Sequence, residues 1–115
     1  MSKFMALLVE DDVLQRGIFA DILIADGFEV VECATAEAAE LIIATSGAEL
    51  RAVVTDEHLD GPMLGSELAA FARALFPRLN VVLISGSDPP RQLSDAHFLR
   101  KPFSPEQLLA VVRAD

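Results

Sequence analysis

Short apolar runs alternate along this chain with longer stretches in which apolar residues recur at helical spacing. Phe4–Val9 is the first run; it is closed by Glu10-Asp11-Asp12 and reads as a buried strand. The stretch after it predicts a helix of about 14 residues with Leu14, Ile18, Ile22 and Ala25 on its buried face. Gly27, after Asp26, supplies the C-terminal cap. Phe28–Cys33 predicts a second strand, and Thr35 caps a helix expected to bury Ala38, Leu41, Ile42 and Thr45. Ala52–Thr55 predicts a third strand ending on Asp56, followed by a Gly- and Pro-containing loop over Glu57–Gly65. Leu68, Phe71, Ala72, Leu75 and Phe76 mark a helix stopped by Pro77. Val81–Ile84 and His97–Arg100 predict the fourth and fifth strands. The last helix has the clearest start: Ser104 and Gln107 form a capping box, Pro105 takes the first helical position, and Phe103 and Leu108 fit a hydrophobic staple.

Strands alternating with helices imply right-handed βαβ units and a parallel sheet covered on both faces. One connection is too short for the pattern. Ser85 through Ala96 gives 12 residues, and Asp88-Pro89-Pro90 at its start resists helical geometry. Only Arg91–Ala96 remains, so the helix between strands four and five is expected to be absent or a single turn, leaving a mobile, mostly polar loop.

The 115 residues contain no internal repeat or linker, which predicts one domain over 1–115. An apolar content of 52% excludes a disordered tail, and no apolar run is long enough to span a bilayer. The N-terminus lacks a signal-peptide pattern, and a lone cysteine, Cys33, makes neither an internal disulfide nor a zinc site. A soluble, cytoplasmic domain without membrane attachment is expected. The net charge of −9 argues against direct nucleic-acid binding. The charge is uneven: residues 1–67 hold 14 acids against 3 bases, residues 68–115 hold 4 against 6. That asymmetry fits either an acidic site built from the first half or an unevenly charged solvated surface.

In open parallel sheets, ligands bind beyond the carboxyl ends of the strands, where strand order reverses. Glu10 and Asp11 follow strand one, Asp56 ends strand three, Ser85 follows strand four and Lys101 follows strand five. Taken singly, each has a bland reading: acids favour a helix N-terminus, Asp56 and Ser85 suit turns, and lysine is usually solvated. Their coincidence at successive strand ends favours a site. Three converging carboxylates repel one another unless a cation sits between them, and hard oxygen ligands suit Mg²⁺ with phosphate as a co-ligand. A lysine and a hydroxyl beside them can neutralise and hydrogen-bond a phosphoryl group.

These motifs together resemble the receiver domain of two-component response regulators. Leu8-Val9-Glu10-Asp11-Asp12 resembles the family's acidic strand-one ending, and Val53-Val54-Thr55-Asp56 the strand leading to its phosphoacceptor. Ile84-Ser85-Gly86 resembles its hydroxyl-plus-small-residue pair, and Lys101-Pro102-Phe103 its Lys-Pro-Phe signature. The resemblance covers essentially the whole chain. It implies a flavodoxin-like, doubly wound α/β fold with a five-stranded parallel sheet in the order 2-1-3-4-5.

It also implies that Asp56 accepts a phosphoryl group from a histidine kinase or histidine phosphotransferase and signals to a downstream protein target. Asp11 would bind Mg²⁺ directly, Glu10 largely through water, and Asp56 and the backbone carbonyl of His58 would complete the protein ligands. Ser85 and Lys101 would meet the phosphoryl oxygens, and Gly86 would leave them room. Ser85 and Phe98 fall at the family's switch positions, and the Lys101–Pro102 bond would be cis. A phenylalanine at position 98 suits an ordinary core equally well.

The chain departs from the family pattern in three places. Asp60 replaces the usual proline, Gly65 lies nine residues after Asp56, and Ser85 to Lys101 spans only 16 residues. The last departure is expected to leave absent, or as a single turn, the helix that the family often uses as a dimer surface. Two other functions fit the pattern less well. A Mg²⁺-dependent aspartate-nucleophile phosphohydrolase of the haloacid-dehalogenase type needs an acid two residues after its nucleophile. Here position 58 is His and position 13 is Val. A degenerate receiver acting only as a binding scaffold would not need the intact set Glu10, Asp11, Asp56, Ser85 and Lys101.

Overall fold

The computed structural model describes residues 4–91, 93 and 95–114. Five strands form one parallel sheet: β1 (Met5–Val9), β2 (Glu29–Cys33), β3 (Leu50–Asp56), β4 (Asn80–Ser85) and β5 (His97–Arg100). Their order across the sheet is β2-β1-β3-β4-β5, the expected doubly wound arrangement. The helices are α1 (Val13–Ala25), α2 (Ala36–Ser46), α3 (Gly65–Leu75) and α4 (Pro105–Val112), with a single 3₁₀ turn over Gly47–Glu49.

The alternation of side chains along each strand divides the core in two. Leu7, Val9, Val53 and Val81 face α2 and α3, meeting Ala39, Ile43, Leu68 and Ala72. Ala6, Leu8, Val54, Val82 and Ile84 face the other way, onto Phe19 and Leu23 of α1 and Leu108 and Val112 of α4. Both faces of the central strands are therefore buried, which is why β1, β3 and β4 read as continuous apolar runs.

The helix starts follow their caps. Asp12 accepts from the Gln15 N–H at 2.9 Å, Thr35 from Ala38 at 3.1 Å, and Ser104 from Gln107 at 3.1 Å. The reciprocal bond of the capping box, from Ser104 N–H to Gln107 Oε1, is 2.7 Å. Gly27 takes φ +101° after α1, a conformation that costs a glycine little.

Two helix faces differ from the sequence expectation. On α1 the buried residues are Phe19, Ala20 and Leu23, whereas Leu14 is 79% and Ile18 58% exposed. On α2 they are Ala36, Ala39 and Ile43, whereas Ala38, Leu41 and Thr45 are exposed and Ile42 is half-buried. Both helices are apolar nearly all round, so several stripes satisfy a 3.6-residue period. The sheet chooses the stripe whose residues match its surface, such as Phe19, which packs on Phe103 at 5.1 Å between ring centroids.

Strand ends also move slightly. Phe4 lies outside β1, exposed beneath the Arg51 guanidinium, and Ser85 is the last residue of β4 rather than its successor. Between β4 and β5 no described residue is helical, as the two prolines lead one to expect; Gln92 and Ser94 of that segment lie outside the described residues.

Candidate functional site

Sheet order reverses between the parallel neighbours β1 and β3: after β1 the chain crosses to β2 on one side, and after β3 it crosses to β4 on the other. Their carboxyl ends carry the acids. Glu10 follows β1 with its N–H donating to the Cys33 carbonyl, Asp56 ends β3, and one carboxylate oxygen each from Glu10, Asp11 and Asp56 lie within 4.8 Å of one another. Glu10 is only 2% exposed. Its carboxyl accepts from the Asp12 N–H at 3.2 Å, and its backbone carbonyl accepts from Arg16 at 2.9 Å.

From the other side of the crevice comes Lys101. Its backbone N–H donates to the Ser85 carbonyl at 2.9 Å, prolonging the β4–β5 ladder to the first residue past β5. Its Nζ donates to Asp56 Oδ2 at 2.8 Å, Gln15 Oε1 at 2.7 Å and Glu10 Oε1 at 3.4 Å. The Lys101–Pro102 bond is cis. Ser85 is buried, and its Oγ accepts from the Ser87 N–H at 3.0 Å. Gly86 has open space where a Cβ would stand. The His58 N–H approaches Asp56 Oδ1 at 3.4 Å, while its side chain is exposed. Phe98 is half-buried, with the Arg100 guanidinium 5.9 Å from its ring centroid.

The charges strain against one another. Burial pushes the Glu10 carboxyl up to about 7, and the neighbouring Asp56 charge and Asp11 side chain add to the rise. The Asp12 N–H and the Lys101 ammonium oppose it. Burial pulls the Lys101 ammonium down, but the hydrogen bond and charge of Asp56, with help from Glu10, outweigh it and hold Lys101 above the usual lysine range. An acidic cluster with one cation and a carboxyl ionised only with difficulty is chemically suited to a divalent ion bound through oxygen. All the donors it offers are carboxylate oxygens, the set that Mg²⁺ accepts.

Two residues missed by sequence reasoning hold the site together. Glu57, buried directly after Asp56, accepts from the Ser66 N–H at 2.6 Å and the Ser66 hydroxyl at 2.9 Å, tying the start of α3 to the end of β3. Its backbone carbonyl accepts from the Gly65 N–H at 2.9 Å. A Cβ on Gly65 would stand 2.0 Å from the Asp56 carbonyl oxygen, so only glycine fits there. Gln15 is the second; its helical position signals nothing about a lysine 86 residues away.

No protein-family model matches the chain. It is 33% identical over 112 residues to the response regulator protein FleR of Pseudomonas aeruginosa, a match covering 92% of this chain but 23% of FleR. A response regulator receiver protein from Sinorhizobium medicae WSM419 is 28% identical with a TM-score of 0.88, over 96% of this chain and 91% of that one. The chain is a response regulator receiver domain. A CheY-like receiver domain protein from Methanospirillum hungatei JF-1 agrees, at 25% identity and a TM-score of 0.87, over 97% of this chain and 92% of that one.

As a receiver domain it belongs to the phosphoacceptor modules of two-component systems. The fold brings together Glu10, Asp11, Asp56 and Lys101 directly. Ser85 ends β4, His58 lies two residues past the end of β3, and Phe98 lies on β5. Among the described residues no helix is long and apolar enough to cross a membrane.

Proposed function

We propose that Asp56 of this receiver domain is the phosphoacceptor, and that Glu10, Asp11, Asp56 and the His58 backbone carbonyl hold Mg²⁺ beside it. One observation carries the reading: Lys101 Nζ sits 2.8 Å from Asp56 Oδ2 within a cluster of three carboxylates. When bound, Mg²⁺ supplies positive charge that offsets the repulsion among those carboxylates and an incoming phosphoryl group. The donor is a histidine kinase or histidine phosphotransferase, and the protein acts on no other substrate; it catalyses only its own phosphorylation and dephosphorylation. It works in the cytoplasm as one domain over residues 1–115.

The chain's own residues divide the work. A carboxylate oxygen of Asp56 bonds to phosphorus, and the bond from phosphorus to the donor's imidazole nitrogen breaks with its electron pair staying on nitrogen. Lys101 pairs with the charge gathering on the phosphoryl oxygens, and the Ser85 hydroxyl donates to one of them. The phosphoryl group carries about −1.5 to −2 charges in place of the single carboxylate charge of Asp56, which draws Ser85 and Lys101 inward. Phe98 then fills space near Ser85, changing the surface around β4 and β5 that a downstream protein reads.

Nuclear magnetic resonance of the protein with Mg²⁺ and beryllofluoride tests this. Signals from Asp56, Ser85, Lys101 and Phe98 should shift together, and Asp56→Asn should abolish the change. Shifts that persist in that variant, or that spare Ser85 and Lys101, would contradict the assignment.

A further inference from the structure

We propose that Gln15 is a positioning residue for Lys101, holding its ammonium at Asp56 through a neutral acceptor; this rests on Asp56 being the phosphoacceptor. An ammonium has three N–H donors and accepts nothing. Lys101 Nζ meets three acceptors, and the shortest of its three bonds, 2.7 Å, goes to the Gln15 amide oxygen rather than to a carboxylate.

The other two acceptors change during the reaction. Asp56 gains a bond to phosphorus, and Glu10 belongs to the cluster that offers oxygens to a cation. The Gln15 amide alone is chemically untouched, so it keeps its hold on the lysine before and after transfer. Because the amide is neutral, it fixes the ammonium without cancelling its charge, which stays available to the phosphoryl oxygens.

Gln15 is itself well anchored. It stands in the first turn of α1, and its backbone N–H donates to the N-cap Asp12 at 2.9 Å. Four residues on, along the same face, the Phe19 ring lies 5.9 Å from Lys101 Nζ and packs on Phe103, two residues past Lys101. The helix thus grips the lysine by its head and the chain beyond it by an aromatic pair.

The test uses Gln15→Met, which keeps the side chain's length but lacks a strong acceptor. Three quantities are measured in the wild type and the variant: the rate of phosphoryl capture from acetyl phosphate at saturating Mg²⁺, the Mg²⁺ affinity, and the urea unfolding midpoint. The expected result is capture slowed roughly three- to tenfold, the scale of one lost hydrogen bond, with Mg²⁺ affinity unchanged and the midpoint lowered by no more than the loss of that one bond explains. Beryllofluoride affinity, compared in wild-type and Lys101→Met backgrounds, should fall on Gln15→Met only where Lys101 is present.

Capture that is unchanged or faster in Gln15→Met would overturn the proposal. So would an Mg²⁺ affinity that falls with the rate, a midpoint that falls by more than one lost hydrogen bond explains, or an effect undiminished in the Lys101→Met background. A wild-type protein that captures no phosphoryl group would instead overturn the reading of Asp56.

Discussion

Lys101 and Asp56 lie 45 residues apart in the chain, yet a 2.8 Å ion pair joins them across the carboxyl ends of β3 and β5. Lys101 is the one cation the described residues place within that carboxylate cluster. Lys101→Ala should therefore destabilise the metal-free protein by about 1–3 kcal/mol, less than a fully buried pair because the lysine is partly exposed. Urea unfolding in the presence of a chelator reads this loss. Adding Mg²⁺ should restore much of it, and a loss indifferent to Mg²⁺ would contradict a shared role for the two cations.

Gly65 offers a sharper structural test. Its missing Cβ leaves room for the Asp56 carbonyl, which would otherwise stand 2.0 Å away. Gly65→Ala should cost about 1–3 kcal/mol by forcing the backbone after Asp56 to move. Gly86→Ala, into open space, should cost far less. Equal losses in thermal unfolding would mean that the loop after β3 yields freely.

The orientation of α1 can be checked the same way. Leu23 is fully buried and Leu14 largely exposed. Leu23→Ala should cost about 2–5 kcal/mol, whereas Leu14→Ala should stay within about 0.5 kcal/mol. The reverse order would restore the face expected from periodicity.

Cys33 supplies a pH-dependent reading. Burial pushes its thiol up to about 11, against the partial opposition of the Arg16 charge and a Thr35 backbone hydrogen bond. A thiol reacts as its thiolate, whose fraction rises with pH, so a raised value means slow reaction at pH 8. Alkylation of the folded protein at pH 8 should run roughly 100- to 300-fold slower than after unfolding, on the ratio of thiolate fractions, and should speed up toward pH 11. Mass-resolved iodoacetamide kinetics would show this; equal rates folded and unfolded would contradict it.

Much of this was legible in the sequence, for identifiable reasons. The strands of a sheet covered on both faces are nearly pure apolar runs, and their ends are marked by the acids, Ser85 and Lys101 that the fold then converges. The α4 start carried local signals strong enough to fix it to the residue. The buried faces of α1 and α2 were not legible, because a helix apolar on several sides leaves the choice to the surface it meets. Gln15 and Glu57 escaped for another reason: each acts through a contact that exists only after folding, with Lys101 and Ser66 respectively. In the sequence Gly65 stands only as one residue out of register, whereas its necessity lies in the Asp56 carbonyl it clears.

The central claim is that Asp56, within this cluster, takes the phosphoryl group. Incubating the protein with acetyl phosphate and Mg²⁺ and measuring the intact mass tests it most directly. The expected result is the gain of one phosphoryl group, mapped to Asp56 and absent both from Asp56→Asn and from samples with chelated metal. A phosphoryl group retained by Asp56→Asn, or added without any divalent ion, would contradict it.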